Sequence, residues 1–326
     1  MKTISIFNQK GGVGKTTSVV NLAVALAYLN KKVLVIDVDP QANSTTGLGL
    51  EESDKSLYDL FYASADNETK DIDHDSETTE ESEMEEISEN SESEVDDSTG
   101  QKENTNQEES SNQEENSDKV ENNEDHEDFN ELDIKAFINP TKAGVDLIAS
   151  ESSLSGLEVE LVALDPYKRT QQLKNIVDKI DEDSYDFILI DCPPSLGLLS
   201  INALVASDSV IVPIQTEYYA LEGVSELINT VNLVKQQLNP NLEIEGVLLT
   251  MFDKRTILSY EVVEEVKSYF KTQVFKVMIP RNPRLAEAPS HGLSTIEYDP
   301  KSQGAVAYIS LANEIIENNE EDEDVK

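Results

Sequence analysis

The fold of this chain is decided by a stretch near its start, Lys10-Gly11-Gly12-Val13-Gly14-Lys15-Thr16-Thr17. The stretch follows an apolar run at residues 4–7, which predicts a strand, and opens a run at residues 15–29 with apolar side chains at helical spacing. Glycines let the backbone wrap its N–H groups around a phosphate, and the N-terminus of the helix that follows adds partial positive charge. The sequence therefore predicts a phosphate-binding loop between a strand and a helix.

Two side chains of this loop are expected to contact the phosphates of a nucleotide and its Mg²⁺ ion. In loops of this kind the lysine reaches the β- and γ-phosphates, and the hydroxyl that follows it is offered to Mg²⁺. We therefore expect Lys15 to act in catalysis and Thr16 to be a Mg²⁺ ligand. The predicted nucleotide-binding residues of the loop are Gly11, Gly12, Val13, Gly14, Lys15, Thr16 and Thr17.

Three aspartates stand at the ends of two further apolar runs. Asp37 and Asp39 lie at the end of the run at residues 33–38, and Asp191 ends the run at residues 187–191. Open α/β sheets bind ligands at the carboxyl ends of their strands, and phosphoryl transfer needs groups that hold Mg²⁺ and position the attacking water. Asp191 is therefore predicted to hold Mg²⁺ through water, as in a Walker B strand. Asp37 and Asp39 suit either task, and a helix cap is the alternative role for each.

The rest of the chain alternates between apolar runs of strand length and helical patterns. Because the apolar runs are nearly continuous, they predict strands covered by helices on both faces. We expect one P-loop ATPase domain over residues 1–326, doubly wound α/β, with a mostly parallel sheet. The predicted strands are residues 4–7, 33–38, 145–149, 187–191, 210–214, 246–252 and 274–279. The predicted helices are residues 15–29, 173–180, 220–238, 260–270 and 305–316.

The negative charge of the chain is concentrated in one segment. The formal net charge is −41, and residues 66–133 alone hold 29 acidic and 3 basic side chains. Residues 66–131 contain too few apolar side chains to offset the entropy lost on ordering, which predicts a disordered acidic insertion. An inert solvated loop and a regulatory or DNA-mimicking segment are both open interpretations. Residues 317–326 form a second, shorter acidic tail.

Cysteine content and hydropathy limit the classes of protein. Cys192 is the only cysteine, which excludes a disulfide within the chain and a cysteine-bound cluster supplied by one subunit. We expect Cys192 to be a buried small side chain rather than a catalytic group. The chain shows neither signal-peptide regions nor a run of about 18 apolar residues. These features predict a soluble, cytoplasmic protein.

The phosphate loop is a variant, and it carries a resemblance to a known family. Gln9 stands where the usual pattern has glycine, and Lys10 comes directly before the first glycine of the loop. The loop resembles the deviant Walker A motif of the ParA/MinD superfamily. Residues 191–197 (DCPPSLG), 217–223 (EYYALEG) and 280–292 are most similar to the ParA/Soj partition ATPases. The resemblance covers nearly all of the chain outside the insertion and the tail.

This resemblance implies specific roles for residues of the site. It implies a homodimer that forms on binding ATP, in which Lys10 reaches across the interface to the partner's nucleotide. Asp39 orients the attacking water, and Asp37 is a Mg²⁺-shell or switch residue. Pro280 and Asn282 contact the adenine base. ATP and Mg²⁺ are the implied cofactors.

The resemblance also implies partners. Similar proteins bind DNA without sequence preference, are nucleoid-associated in the cytoplasm, and are stimulated by a ParB-type DNA-binding protein during chromosome or plasmid partition. Nonspecific DNA affinity comes from lysines and arginines that neutralise phosphates. Asn232 stands where relatives often have an arginine, and we hypothesise that the acidic insertion competes with DNA for the basic face. The candidate DNA contacts are Lys235, Lys254, Arg255, Lys267, Lys271, Lys276 and Arg284.

Two alternatives within the superfamily stay open. The first is an orphan ParA-like ATPase that positions a protein cargo. The second is a MinD-like membrane-associated ATPase of the division site, which would need a C-terminal amphipathic helix with a basic face. Because residues 317–326 are acidic, an anionic bilayer would repel them, and we expect no stable membrane anchoring.

Overall fold

The computed structural model describes residues 1–51, 53–63, 133–218 and 224–325, and the predicted insertion at residues 66–131 lies outside them. The described strands form a seven-stranded sheet in the order β3-β4-β2-β5-β1-β6-β7. All neighbouring strands are parallel except β3, which runs antiparallel to β4. The strands are β1 (Lys2–Ile6), β2 (Val33–Asp37), β3 (Ile138–Pro140), β4 (Asp146–Ile148), β5 (Phe187–Asp191), β6 (Ser209–Gln215) and β7 (Glu243–Thr250). The predicted mostly parallel sheet is confirmed.

Helices lie on both faces of this sheet, as predicted. Along β2, Leu34 and Ile36 pack into a core cluster shared with α3 to α8, whereas Val33 and Val35 pack into a cluster shared with α1 and α11. The helices are α1 (Lys15–Tyr28), α2 (Asn43–Gly47), α3 (57–63), α4 (Leu154–Val162), α5 (Lys168–Val177), α6 (Leu198–Val205), α7 (Val224–Gln237), α8 (Ile257–Phe270), α9 (Pro283–Glu287), α10 (Thr295–Tyr298) and α11 (Gln303–Val325). Short 3-10 turns occupy Ile134–Phe137, Lys271–Gln273 and Ala288–His291. Within the described part of the chain, no helix is both long and apolar enough to span a bilayer.

The predicted strand at residues 274–279 is wrong. This segment meets β7 at its two ends, where the Phe275 N–H donates to Val247 O at 3.0 Å and the Ile279 N–H donates to Leu249 O at 2.8 Å. Between these contacts, the backbone N–H groups of Lys276 and Val277 donate to the Glu314 carboxylate of α11, at 2.7 and 3.1 Å. Because a side chain takes these donors, the segment does not continue as a ladder.

The order of the central strands brings three loops together. β5 lies between β2 and β1, and Asp191 pairs in register with Asp37 on one side and with Ile6 on the other. The carboxyl ends of these three parallel strands therefore share one edge of the sheet. The glycine-rich loop leaves from the end of β1, so this edge is where the predicted site residues meet.

Candidate functional site

The loop between β1 and α1 is held by contacts to other strands. The Asn8 amide donates to Pro213 O at 2.7 Å, and the Thr250 hydroxyl donates to Val13 O at 2.8 Å. Gly12 and Gly14 have φ angles of 75° and 93°, in the left-handed region where a Cβ is strained. The glycines are therefore required by the backbone path of the loop, which ends at the N-terminus of α1.

Lys15 lies in the middle of this edge. It is buried, and its Nζ donates to the carbonyl oxygen of Lys10 at 3.3 Å. Burial lowers the pKa of Lys15, while the nearby charges of Asp191 and Asp39 act to raise it. The structure thus brings Lys15 beside two of the three predicted aspartates.

Asp37 and Asp191 face each other at the ends of β2 and β5, and both are fully buried. Asp37 Oδ2 accepts from the Thr45 backbone N–H and hydroxyl, each at 2.8 Å, and Asp191 Oδ2 accepts from the Ser44 hydroxyl at 2.7 Å. Burial raises the pKa of both carboxyl groups, and the charge of Asp191 raises that of Asp37 further. Two buried carboxyl groups side by side oppose each other's ionisation, and a nearby cation would offset this repulsion.

The donor set around Asp191 fits Mg²⁺. Its Oδ1 is buried and accepts no hydrogen bond within the described residues, although the Thr16 hydroxyl lies close enough to lower its pKa. A carboxylate oxygen and a hydroxyl are hard oxygen ligands of the kind that Mg²⁺ prefers. Asp37 differs, because its Oδ1 accepts from the Asp39 N–H at 3.2 Å and its Oδ2 is used by Thr45. The structure therefore leaves Asp191 freer than Asp37 for a metal or its water.

Asp39 follows β2 and is 7% exposed. Its Oδ1 accepts from the Gln41 N–H at 3.0 Å, in a tight turn at Pro40. Its charge acts on both Lys15 and Asp191, so its carboxylate lies at the same edge of the sheet.

Lys10 is turned toward its own chain. Its Nζ forms an ion pair with Glu217, directly beyond β6, and the two side chains are 41% and 38% exposed. Next to it, the Gln9 amide donates to the Thr230 hydroxyl of α7 at 3.2 Å. The lysine predicted to act across a dimer interface is thus exposed, and within its own chain its ammonium group forms an exposed ion pair with Glu217.

A largely apolar cavity of about 430 Å³ opens beside the loop. Its lining brings the two predicted base contacts, Pro280 and Asn282, together with Gly14 and Thr17 of the loop region. The Asn282 Oδ1 accepts from the Arg284 N–H at 2.9 Å and caps α9. A flat apolar base attached to phosphates in the loop would fit this position.

Three hydroxyl residues of this edge were not indicated by any sequence pattern. Ser44 and Thr45 reach the aspartates from α2, and Ser150 reaches Asp39 from beyond β4 at a sequence separation of 111 residues. The only local signal is the polar run at residues 43–46, close behind Asp39. Contacts between residues this far apart in sequence produce no periodic pattern, so the sequence alone does not predict them.

The predicted DNA contacts are spread over several elements. Arg255 forms a 2.7 Å ion pair with Asp253, whose pKa it lowers through hydrogen bonds, and Arg284 pairs with Glu287 and Asp299. Lys235 lies on α7, Lys254 before α8, Lys267 on α8, Lys271 after it, and Lys276 beside α11. The two arginines are therefore partly neutralised within the chain.

Comparisons with known proteins identify the family of the chain. The profile of the AAA domain family matches residues 1–244. Sporulation initiation inhibitor protein Soj from Bacillus subtilis is 44% identical over 97% of this chain and 99% of that protein. Chromosome partitioning protein ParA from Myxococcus xanthus is 38% identical over 97% of this chain and 88% of that protein. The solved structure of cobyrinic acid a,c-diamide synthase from Mycobacterium smegmatis with bound ADP and magnesium has a TM-score of 0.66 at 27% identity, covering 96% of this chain and 93% of that one. The family match and the identity to these relatives confirm the resemblance seen in the motifs, and the chain belongs to the ParA/Soj family of partition ATPases.

Proposed function

We propose that this chain binds ATP and Mg²⁺, forms a homodimer on ATP, binds nonspecific DNA, and acts in chromosome or plasmid partition with a ParB-type partner that stimulates hydrolysis. The observation that supports this most directly is the meeting of Lys15, Asp39 and Asp191 beside the glycine loop. Relatives named for chromosome partitioning match nearly the whole chain. DNA binding would make the protein nucleoid-associated in the cytoplasm.

The residues of the loop would bind and orient the triphosphate. Backbone N–H groups of residues 11–17 surround the phosphates, and the Lys15 ammonium reaches the β- and γ-phosphates. Thr16 and Asp191 would hold Mg²⁺, which when bound neutralises charge that develops on the phosphates. Asp39 accepts a hydrogen bond from the attacking water and orients it. Asp37 supports this arrangement from the Mg²⁺ shell or as a switch, through Thr45.

Lys10 would complete the site of the partner subunit. Its ion pair with Glu217 is exposed, and exposed pairs of this kind contribute about 1 kcal/mol or less. Exchanging Glu217 for a phosphate of the partner's nucleotide therefore costs little. Pro280 and Asn282 would contact the adenine base in the cavity beside the loop.

DNA contacts would come from the lysines rather than the arginines. Arg255 and Arg284 are engaged by acidic neighbours. Within the described residues, five candidate lysines form no ion pair, and each can neutralise a phosphate. They are Lys235, Lys254, Lys267, Lys271 and Lys276.

Co-sedimentation with nonspecific duplex DNA at about 0.15 M salt tests this function, because the affinity that comes from phosphate contacts depends on salt and can be measured at that ionic strength. The comparison is between ATP and ADP, with Asp39→Ala used to hold the ATP-bound dimer. We expect binding with ATP and none with ADP. An Asp39→Ala protein that dimerises with ATP but ignores DNA would contradict DNA partition and would favour the positioning of a protein cargo.

A further inference from the structure

The backbone of Asp39 is fixed from two sides. Its N–H donates to Asp37 Oδ1 at 3.2 Å. Its carbonyl oxygen accepts from the Ala42 N–H at 2.9 Å, which closes a local turn, and from the Ser150 hydroxyl at 2.6 Å. The last contact comes from a segment directly beyond β4, the strand that neighbours β2 in the sheet.

Ser150 is tied back to Asp37 as well. Its backbone N–H donates to Thr45 Oγ1 at 3.1 Å, and the Thr45 hydroxyl donates to Asp37 Oδ2 at 2.8 Å. The contacts close a ring through Asp37, Thr45, Ser150 and the Asp39 peptide, which we call the Asp39 clamp. All four residues are at most 7% exposed, and hydrogen bonds in such a low-dielectric setting hold their geometry well.

The Ser150 hydroxyl does more than satisfy a buried carbonyl. The Asp39 carbonyl oxygen already accepts from Ala42, so a second donor mainly restricts how the peptide can rotate. The side chain is restricted too, because Asp39 Oδ1 accepts from Gln41. Among the described residues, Oδ2 of Asp39 accepts no hydrogen bond, so this is the oxygen left for a water.

We propose that Ser150 is a positioning residue for ATP hydrolysis, which holds the Asp39 peptide so that Oδ2 meets the attacking water. The inference rests on the proposed water-orienting role of Asp39. The clamp joins the end of β2, the start of α2 and the end of β4, so the position of Asp39 is set by three elements. Ser150 itself acts only through Asp39.

Steady-state ATPase kinetics of Ser150→Ala test this role. We expect kcat to fall about tenfold to a hundredfold, the range that a misplacement near 1 Å produces. The KM for Mg-ATP is expected to change less than about twofold, because the loss falls on the hydrolytic step. Ser150→Cys keeps a similar volume with a weaker donor, so its kcat is expected to lie between the two. Ser152→Ala, at an exposed serine two residues on, is the matched control and should hydrolyse normally.

A double-mutant cycle separates positioning from a structural effect. In single-turnover assays, adding Ser150→Ala to Asp39→Ala should slow the residual hydrolysis less than about twofold, because the two residues act as one unit. Thermal unfolding checks the fold of each variant, and Ser150→Cys replaces Ser150→Ala in the cycle if the latter does not fold.

The outcomes distinguish the inference from the function on which it rests. Equal losses in both backgrounds, or a Ser150→Ala protein with normal kcat beside an impaired Asp39→Ala protein, overturn the positioning role alone. An Asp39→Ala protein that hydrolyses ATP at the normal rate overturns the proposed role of Asp39, and the role of Ser150 falls with it.

Discussion

Substitution of Lys10 tests whether this ATPase forms a dimer on binding ATP. In the proposed dimer it leaves Glu217 for the partner's nucleotide, so Lys10→Ala is expected to abolish ATP-dependent dimerisation. Glu217→Gln removes only an exposed ion pair, and the dimer dissociation constant should shift less than about fivefold. Light scattering with size-exclusion chromatography, in the Asp39→Ala background with ATP, measures both. A Lys10→Ala protein that dimerises normally would contradict the role across the interface.

Cys192 offers a test of the burial of this edge. Burial and the neighbouring Asp191 charge raise the pKa of the Cys192 thiol, so the thiol stays protonated at pH 8. Because the thiolate is the reactive form, we expect an aromatic disulfide reagent to react with the native protein at least about a hundredfold more slowly than with the unfolded chain. The absorbance of the released thiolate, in buffer and in urea, gives both rates. Equal rates would show that the end of β5 is open to solvent.

Among the elements, the segment at residues 274–279 depends on α11. Glu314 is buried, and its removal in Glu314→Ala leaves the N–H groups of Lys276 and Val277 without their acceptor. The expected loss in the free energy of unfolding is about 2 kcal/mol or more. Asn313→Ala, at an exposed position of the same helix, should change it by less than about 0.5 kcal/mol. Urea unfolding monitored by circular dichroism measures both, and equal stabilities would show that the carboxylate does not hold the segment.

The same segment shows where sequence patterns stop being informative. The strands β1, β2, β4, β5, β6 and β7 and the loop before α1 could be predicted, because each forms from a run of consecutive residues with a recognisable pattern. Residues 274–279 also have the composition of a strand. Their conformation is set instead by the Glu314 carboxylate and by the Phe275 ring, which packs against Gly246. The ring lies 2.5 Å from the position that a Cβ of Gly246 would occupy. Likewise, β3 could not be predicted, because it is only three residues long, ends in Pro140 and contains no apolar run.

The candidate site divides in the same way. Motifs placed Lys15, Asp39 and Asp191, and the structure brings them to one edge of the sheet. The Asp39 clamp could not be predicted, because Ser150 reaches Asp39 over 111 residues of sequence. The chemical role of a motif can be predicted from the sequence. The contacts that position its side chains become visible only in the folded structure.

For the whole molecule, the open question is how so acidic a chain would approach DNA. The net charge is −41, and residues 66–133 hold 29 acidic against 3 basic side chains. The candidate DNA lysines lie on the ATPase part of the chain and are few. Because the acidic segment belongs to the same chain as the lysines, it would compete with DNA intramolecularly, at an effective concentration rather than at its bulk concentration. The hypothesis that residues 66–131 compete with DNA therefore has a physical basis in charge and tethering.

Deleting residues 66–131 is expected to raise DNA affinity in the presence of ATP by about tenfold at 0.15 M salt, because a competing polyanion is removed from the lysines. A variant that keeps the length of the insertion but replaces its aspartates and glutamates with asparagines and glutamines is the matched control. If charge is the cause, both variants should gain affinity equally, whereas a gain from deletion alone would point to bulk. Fluorescence anisotropy across a salt series measures the affinity and its slope, and unchanged affinity in both variants would remove the insertion from any account of DNA binding.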